Sequence, residues 1–119
     1  MSELTIKKLM EAMPGAFIPE RAEGINAVTL FSFSGENGGD WTVTIRDQKI
    51  IVESGKPLEK PTLSLHGNAQ DILDIFFGKL DPTKAFMQGK LRMKGNMGLA
   101  FKLAKLFRID EELYRSVQK

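Results

Sequence analysis

The fold of this chain is decided by the stretch Gly78–Leu103, which reads GKLDPTKAFMQGKLRMKGNMGLAFKL. It begins with the signals of a short helix. Asp81 is a good N-cap, and Pro82 stands at the first helical position, where its missing N–H costs nothing. Gly89 follows at the place of a left-handed C-terminal residue, so the helix is predicted to end there.

A strand and a longer helix complete the same stretch. Apolar and cationic residues alternate from Lys90 to Lys94, with Leu91 and Met93 on one face, which is the period of a half-buried strand. Asn96 then caps a helix predicted over Met97–Phe107. The apolar sector of that helix is too wide for one narrow contact. The helix therefore packs on a sheet as core, or it also lines an apolar cavity or touches a membrane surface.

The rest of the chain supplies the sheet. Hydrophobic spacing and turn residues predict a first helix from Ser2 to Pro14–Gly15, strands over 25–34, 41–46, 49–53 and 62–66, a helix capped by Asn68, and a last short helix after Asp110. Together with the strand of the deciding stretch, this gives an α+β architecture, a five-stranded mainly antiparallel sheet with helices on one face. Phe31, Phe33, Trp41 and Val43 fall on the predicted inward face of the first two strands.

Length and composition indicate one globular domain, residues 1–119, of 42% hydrophobic and 27% charged residues. The beginning of the chain lacks the apolar core of a signal peptide, and no apolar run is long enough to span a bilayer. The absence of cysteine is typical of a protein in a reducing compartment, so we expect a cytoplasmic location.

The cations are concentrated in one segment. Residues 79–108 hold eight Lys or Arg and a single Asp, although the whole chain has a net charge of only +2. Such a segment can attract nucleic acid, an anionic membrane or a phosphorylated ligand, or it can simply be a solvated face. Nucleic-acid binding would need aromatic side chains exposed among the cations, but Phe86, Phe101 and Phe107 fall on apolar faces. We therefore expect no nucleic-acid partner.

The sequence offers little for catalysis. His66 is the only histidine, and it falls in the outward phase of its strand. No Asp or Glu stands at metal-ligand spacing from it. Asp71 has a capping role at the start of its helix, and Asp74 belongs to a solvated face. We expect neither enzymatic activity nor a metal or other cofactor.

Apolar side chains are abundant instead. Eight Phe and Met residues lie between 76 and 107, namely Phe76, Phe77, Phe86, Met87, Met93, Met97, Phe101 and Phe107. They could all belong to the core of a small domain. The same residues would also form the wall of a cavity for an acyl chain or a sterol, because each buried methylene contributes about 0.8 kcal/mol.

The motifs resemble those of the sterol carrier protein 2 family. The resemblance is carried by Gly78–Pro82, Ala85–Leu91 and Lys94–Ala100, with Phe17–Gly24 ahead of the first strand. It extends over about residues 17–107, and 109–119 forms a charged tail outside it. The sequence resembles a stand-alone bacterial-type member of the family. The family's peroxisomal tripeptide is absent, so a peroxisomal location is not expected.

The resemblance implies a hydrophobic tunnel between sheet and helices that binds a fatty acid, fatty acyl-CoA, sterol or phospholipid without catalysis. It also implies the residues that line the tunnel: Phe31, Phe33, Trp41, Val43, Phe76, Phe77, Met87, Met97, Phe101 and Leu103. Gln88 is similar to a glutamine near the tunnel mouth and would meet a polar head group. Transient contact with an anionic membrane fits the cations. The alternative function is an accessory module whose apolar groove docks a partner protein or a membrane.

Overall fold

A computed structural model describes residues 6–35 and 38–117, apart from the side chains of Phe101 and Ala104. The helices are α1 (Ile6–Ala16), α2 (Ala69–Phe76), α3 (Pro82–Met87), α4 (Met97–Leu103) and α5 (Glu111–Val117). The strands are β1 (Ala27–Ser34), β2 (Gly39–Arg46), β3 (Lys49–Ser54), β4 (Leu63–Asn68) and β5 (Leu91–Gly95). Short 3-10 turns cover Pro19–Ala22 and Ala104–Leu106.

The sheet has five strands in the order β3-β2-β1-β4-β5. Neighbouring strands pair in antiparallel fashion, except for β1 and β4, which pair in parallel. The predicted α+β fold with a mainly antiparallel sheet is therefore confirmed. The parallel pair was not predicted, because β3 and β4 are joined by a loop that crosses two strands rather than by a hairpin.

The loop between β3 and β4 passes over the face of the sheet that carries no helix. Thr42 alternates with inward-facing Val43 and donates its hydroxyl to the Gly55 carbonyl oxygen at 2.7 Å. Farther along the loop, Glu59 forms an ion pair with Arg46. This cover explains why Val28 and Thr42 are buried although they point away from the helices.

The core lies between the other face and the helices. In-register pairing brings Ala27 opposite Ile45 and Thr29 opposite Val43 and Leu63. The apolar side chains among them, Ala27, Val43, Ile45 and Leu63, join the apolar face of α1 in one buried cluster. The alternation that predicted the inward faces of the strands is confirmed at these positions.

Of the two predicted ends of α1, only the second falls within the described residues. The predicted cap at Ser2 lies outside the described residues. The predicted end at Pro14–Gly15 is wrong, because α1 continues to Ala16 with Pro14 inside its last turn. A proline so near the end removes a single backbone hydrogen bond. Burial of Met13 and Ala16 keeps this last turn against the core.

The helix predicted over Met97–Phe107 is also shorter than expected. It ends at Leu103 and continues as a 3-10 turn, after which Phe107 forms a β-bridge with Phe17. The Ile18 N–H donates to the Leu106 carbonyl and the Arg108 N–H to the Ala16 carbonyl, both at 2.7 Å. These tertiary hydrogen bonds use backbone groups that a longer helix would need for itself.

Candidate functional site

A cavity of about 390 Å³ lies between the sheet and the helices. This volume is within the usual range for small-molecule sites. The side chains that line it are apolar apart from Thr83, and none carries a charge. The cavity can therefore accept an apolar molecule but offers little to hold a strongly polar one.

The floor of the cavity is a row of side chains across the inner face of the sheet. Phe31 of β1 is in register with Leu65 of β4, and Leu65 is in register with Met93 of β5. All three line the cavity, together with Val43 and Leu91. Leu65 and Met93 are only half-buried although they point toward the helices, because the space above them is unfilled.

Helix α1 forms one side wall through Leu9, Met10 and Met13. The spacing of these residues places them on one helical face, and each is at most 3% exposed. Each of these side chains packs against the core cluster and also borders the cavity. The wall is consequently held by well-packed residues.

The roof consists of three short helices, each started by a capping side chain. Asn68 Oδ1 accepts from the Gln70 N–H at 2.8 Å, and Asp81 Oδ1 accepts from the Thr83 N–H at 2.9 Å. Asn96 Oδ1 accepts from the Leu99 N–H at 3.1 Å. The caps predicted from sequence are thus confirmed. Residues on the undersides of these helices and just after them line the cavity: Ile72, Ile75, Phe76, Pro82, Thr83, Phe86, Met97, Ala100, Leu103 and Phe107.

Aromatic contacts join the roof to the rest of the domain. The rings of Phe76 and Phe107 have centroids 6.2 Å apart, and Phe107 and Phe17 have centroids 5.9 Å apart. Phe77 lies edge-on against Tyr114 of α5 at 5.1 Å. Aromatic pairs at such distances stabilise a structure beyond simple burial, so the end of α2 is fixed to two other segments.

The structure brings five of the predicted tunnel residues to this cavity: Phe31, Val43, Phe76, Met97 and Leu103. They come from two strands and two helices that are distant in sequence. Phe33, Trp41 and Phe77 are in the core or packed against it, but they do not line the cavity.

The remaining predictions concern the edge of the site. Met87 is 80% exposed and does not line the cavity. Gln88 is exposed at the end of α3, where its N–H donates to the Lys84 carbonyl. The side chain of Phe101 lies outside the described part of the structure, so its place in the wall stays a prediction.

Sequence reasoning predicted α1 from its hydrophobic spacing but missed its part in the cavity wall. It also missed Leu65, Ile72 and Ile75 among the lining residues, whereas Phe86, Met93 and Phe107, which belong to the predicted cluster of Phe and Met residues, do line the cavity. The hydrophobic spacing of α1 was visible, but the same spacing is expected of a helix that packs on a filled core. Nothing in a single sequence separates these two cases.

The chemistry available in the described residues agrees with an apolar binding site. His66 lies on the outer face of the sheet, in register with Ser32 and Arg92 and away from the cavity. No group of three His, Cys, Asp or Glu residues within 6–35 and 38–117 could hold a metal ion. Among these residues no helix has the length and hydrophobicity needed to cross a membrane.

Comparison with known proteins gives a consistent match over most of the chain. A family model described as the SCP-2 sterol transfer family matches residues 6–108. A curated relative, hydroxysteroid dehydrogenase-like protein 2 of Pongo abelii, is 45% identical over 80 residues. This match covers 67% of the chain but only 19% of the relative, so the matched segment is about one fifth of that protein.

Two solved structures share the fold. Sterol carrier protein domain 2 of Helicoverpa armigera is 32% identical with a TM-score of 0.60, over 93% of this chain and 84% of that one. Sterol carrier protein 2 like 2 from Aedes aegypti is 25% identical with a TM-score of 0.64, over 86% and 92% of the two chains.

Proposed function

The chain belongs to the SCP-2 sterol transfer family, whose domains bind or transfer lipids, and we propose that its cavity binds the apolar part of a fatty acid, fatty acyl-CoA, sterol or phospholipid. The observation that supports the proposal is the cavity of about 390 Å³ with no charged side chain in its lining. Ten methylenes buried there would contribute about 8 kcal/mol before ordering costs.

Two groups of residues have distinct proposed roles. Phe31, Val43, Phe76, Met97 and Leu103 contact the apolar part of the ligand, with Leu9, Met10 and Met13 on the opposite wall. Phe33, Trp41 and Phe77 are proposed to support the lining residues from the core. Phe101 is proposed as a further residue in contact with the ligand. Gln88 is exposed one residue after Met87 and is proposed to meet a polar head group.

We further propose that the domain carries its ligand without changing it. The one histidine lies on the opposite face of the sheet from the cavity, and the chain has no cysteine that could act as a nucleophile. A bound acyl-CoA should be recovered intact after long incubation with the protein. Thioester cleavage that disappears in a His66→Ala variant would contradict this part of the proposal.

The absence of cysteine also suits the cytoplasm as the proposed compartment.

The cavity itself is tested by filling it. Ala100 lines the cavity and is half-buried, so Ala100→Phe should occupy part of the space a ligand needs. We expect this variant to bind a fluorescent fatty acid at least about tenfold more weakly, with an unchanged or higher melting temperature. Ala12→Phe is the matched control, because Ala12 is half-buried against the core but does not line the cavity. Equal affinity in both variants would show that lipid is not bound here.

A further inference from the structure

The mouth of the cavity exposes large apolar side chains. Phe86 and Met97 both line the cavity, yet they are 47% and 39% exposed, so they stand at its opening. Met87 follows Phe86 on α3 and is 80% exposed. We call these three residues the apolar rim. Their exposure is unusual because side chains of this size are normally buried.

The geometry of α3 explains the position of the rim. Ala85 is fully buried and faces the sheet, whereas Thr83 and Phe86 line the cavity. Met87 is four residues after Thr83 and therefore on the same side of the helix, one turn farther along. The side chain of Met87 consequently extends from the edge of the opening into solvent.

Cations without acidic partners accompany the rim. Lys84 is on α3, three residues before Met87, and Lys90 follows that helix. Both are exposed, and no carboxylate of the described residues lies within ion-pair distance of them. The one acidic residue of the segment 79–108 is Asp81, which caps α3 through the Thr83 N–H.

We propose that the apolar rim and these lysines dock the domain on an anionic lipid bilayer, with the cavity mouth facing the membrane. The proposal rests on the proposed lipid-binding function and assigns the surface it uses. Exposed Phe and Met side chains suit the boundary between head groups and acyl chains, and flanking lysines suit negatively charged head groups. A lipid could then pass between bilayer and cavity without exposing its apolar part to water. A protein partner or a second copy would lack this continuous apolar route.

The rim is tested by vesicle sedimentation with phosphatidylcholine alone and with 30% phosphatidylserine added. The natural chain should sediment with the anionic vesicles, and Met87→Asp should weaken this association about tenfold or more, because it places a carboxylate in the rim. Leu58→Asp is the matched control. Leu58 is fully exposed in the β3–β4 loop, on the opposite face of the sheet, and is flanked by Lys56 and Lys60. We expect the control to sediment like the natural chain.

The cations are tested by neutralising them. The double variant Lys84→Gln with Lys90→Gln should bind anionic vesicles about 25-fold more weakly, since each lysine near such a surface contributes about fivefold. The double variant Lys56→Gln with Lys60→Gln has the same change in net charge and should show a much smaller loss. Binding of the natural chain should also weaken as salt is raised toward 1 M.

Three results would overturn the docking proposal. The first is equal sedimentation of the natural chain with neutral and anionic vesicles, and the second is equal behaviour of Met87→Asp and Leu58→Asp. The third is dimerisation lost in Met87→Asp without vesicle binding, which would assign the rim to a second copy. Fluorescent fatty-acid binding in vesicle-free buffer separates this failure from failure of the proposed function. Met87→Asp should keep the affinity of the natural chain there, because Met87 does not line the cavity.

Discussion

Two regions of the apolar layer between the sheet and the helices have the same hydrophobic character but different packing. In the closed region, Ile6, Ala27, Ile45 and Leu63 are between 0% and 3% exposed. In the cavity region, Leu65, Ile75, Phe76 and Met93 are only half-buried, and all four line the cavity. Both regions belong to the same apolar layer, so the difference arises from what lies above the sheet.

The helices account for this difference. The closed region includes Ile6 of α1, an 11-residue helix that buries a continuous apolar face. The next residues of that face, Leu9, Met10 and Met13, form one wall of the cavity. The cavity region is covered by α2, α3 and α4, which have 8, 6 and 7 residues and begin anew at separate caps. Three short helices joined by turns cannot fill the space as closely as one longer helix. The alternation of apolar and polar residues along a strand therefore predicts which side chains point inward. It does not predict whether they pack against other atoms there.

The largest expected effect compares two leucines of one strand. Leu63 is fully buried in the closed region, whereas Leu65, two residues later, borders the cavity. Leu63→Ala should lower the free energy of unfolding by about 3–4 kcal/mol, because it creates a new void. Leu65→Ala should cost about 1 kcal/mol, since it only enlarges an existing space. Urea denaturation of both variants measures the difference, and equal costs would mean that the cavity region is packed as tightly as the closed region.

Local signals in the sequence predicted much of the fold. The three caps depend on a few adjacent residues, and so does the short break between the strands predicted over 41–46 and 49–53. In the structure this break is a turn at Asp47–Gln48 with φ angles of 52° and 61°. The parallel pairing of β1 with β4 was not predictable in this way, because it joins segments separated by two other strands. The end of α4 was missed for the same reason, since backbone hydrogen bonds from Ile18 and Arg108 determine it.

The site was predictable to a smaller extent. Phe31 and Val43 were placed on the inward face by alternation, but the cavity itself was expected from family resemblance. The pattern could not distinguish them from Phe33, which points inward and is buried away from the cavity. Whether an inward side chain borders a cavity depends on how closely distant helices approach. That information is absent from the spacing of apolar residues.

The second prediction concerns the stability of the protein when the proposed ligand is bound in the cavity region. A fatty acid at 100 times its dissociation constant should raise the free energy of unfolding of the natural chain by about 2.7 kcal/mol, because it binds only the folded state. The ligand should raise the free energy of unfolding of Leu63→Ala by a similar amount, since Leu63 does not line the cavity. Ala100→Phe should gain much less under the same conditions. Thermal or urea denaturation with and without ligand makes the comparison, and an equal gain in Ala100→Phe would contradict it.

The third prediction concerns a polar group in the closed region. Thr29 is 1% exposed, and its hydroxyl has no hydrogen-bond partner in the described structure. Thr29→Val removes this buried hydroxyl and should raise the free energy of unfolding by about 1 kcal/mol. Thr42→Val is the matched control, because the equally buried Thr42 hydroxyl donates to Gly55 at 2.7 Å. The free energy of unfolding of the control should fall by about 1 kcal/mol. A fall in both variants would show that the Thr29 hydroxyl has a hydrogen-bond partner in solution.

The smallest expected effect lies where α5 connects the two regions. Leu113 and Val117 of α5 are buried, and Tyr114 contacts Phe77 next to the cavity roof. The Lys79 ammonium donates to the Tyr114 hydroxyl at 3.0 Å, and this hydrogen bond raises the pKa of Lys79 above its ordinary value of 10.5. Tyr114→Phe should therefore lower the pKa of Lys79, which an NMR titration of the lysine side chains can measure.

The sign of the pH dependence follows from that direction. A lysine whose pKa is higher in the folded chain stabilises it below pH 10.5 and loses this contribution as the pH rises through the folded value. The stability difference between the natural chain and Tyr114→Phe should thus be constant from neutral pH to about pH 10 and should narrow above it. Because Lys79 is fully exposed, salt should reduce the difference as well. Fatty-acid affinity should not change, since neither residue lines the cavity, and an altered affinity would show that α5 influences the cavity region as well as the closed one.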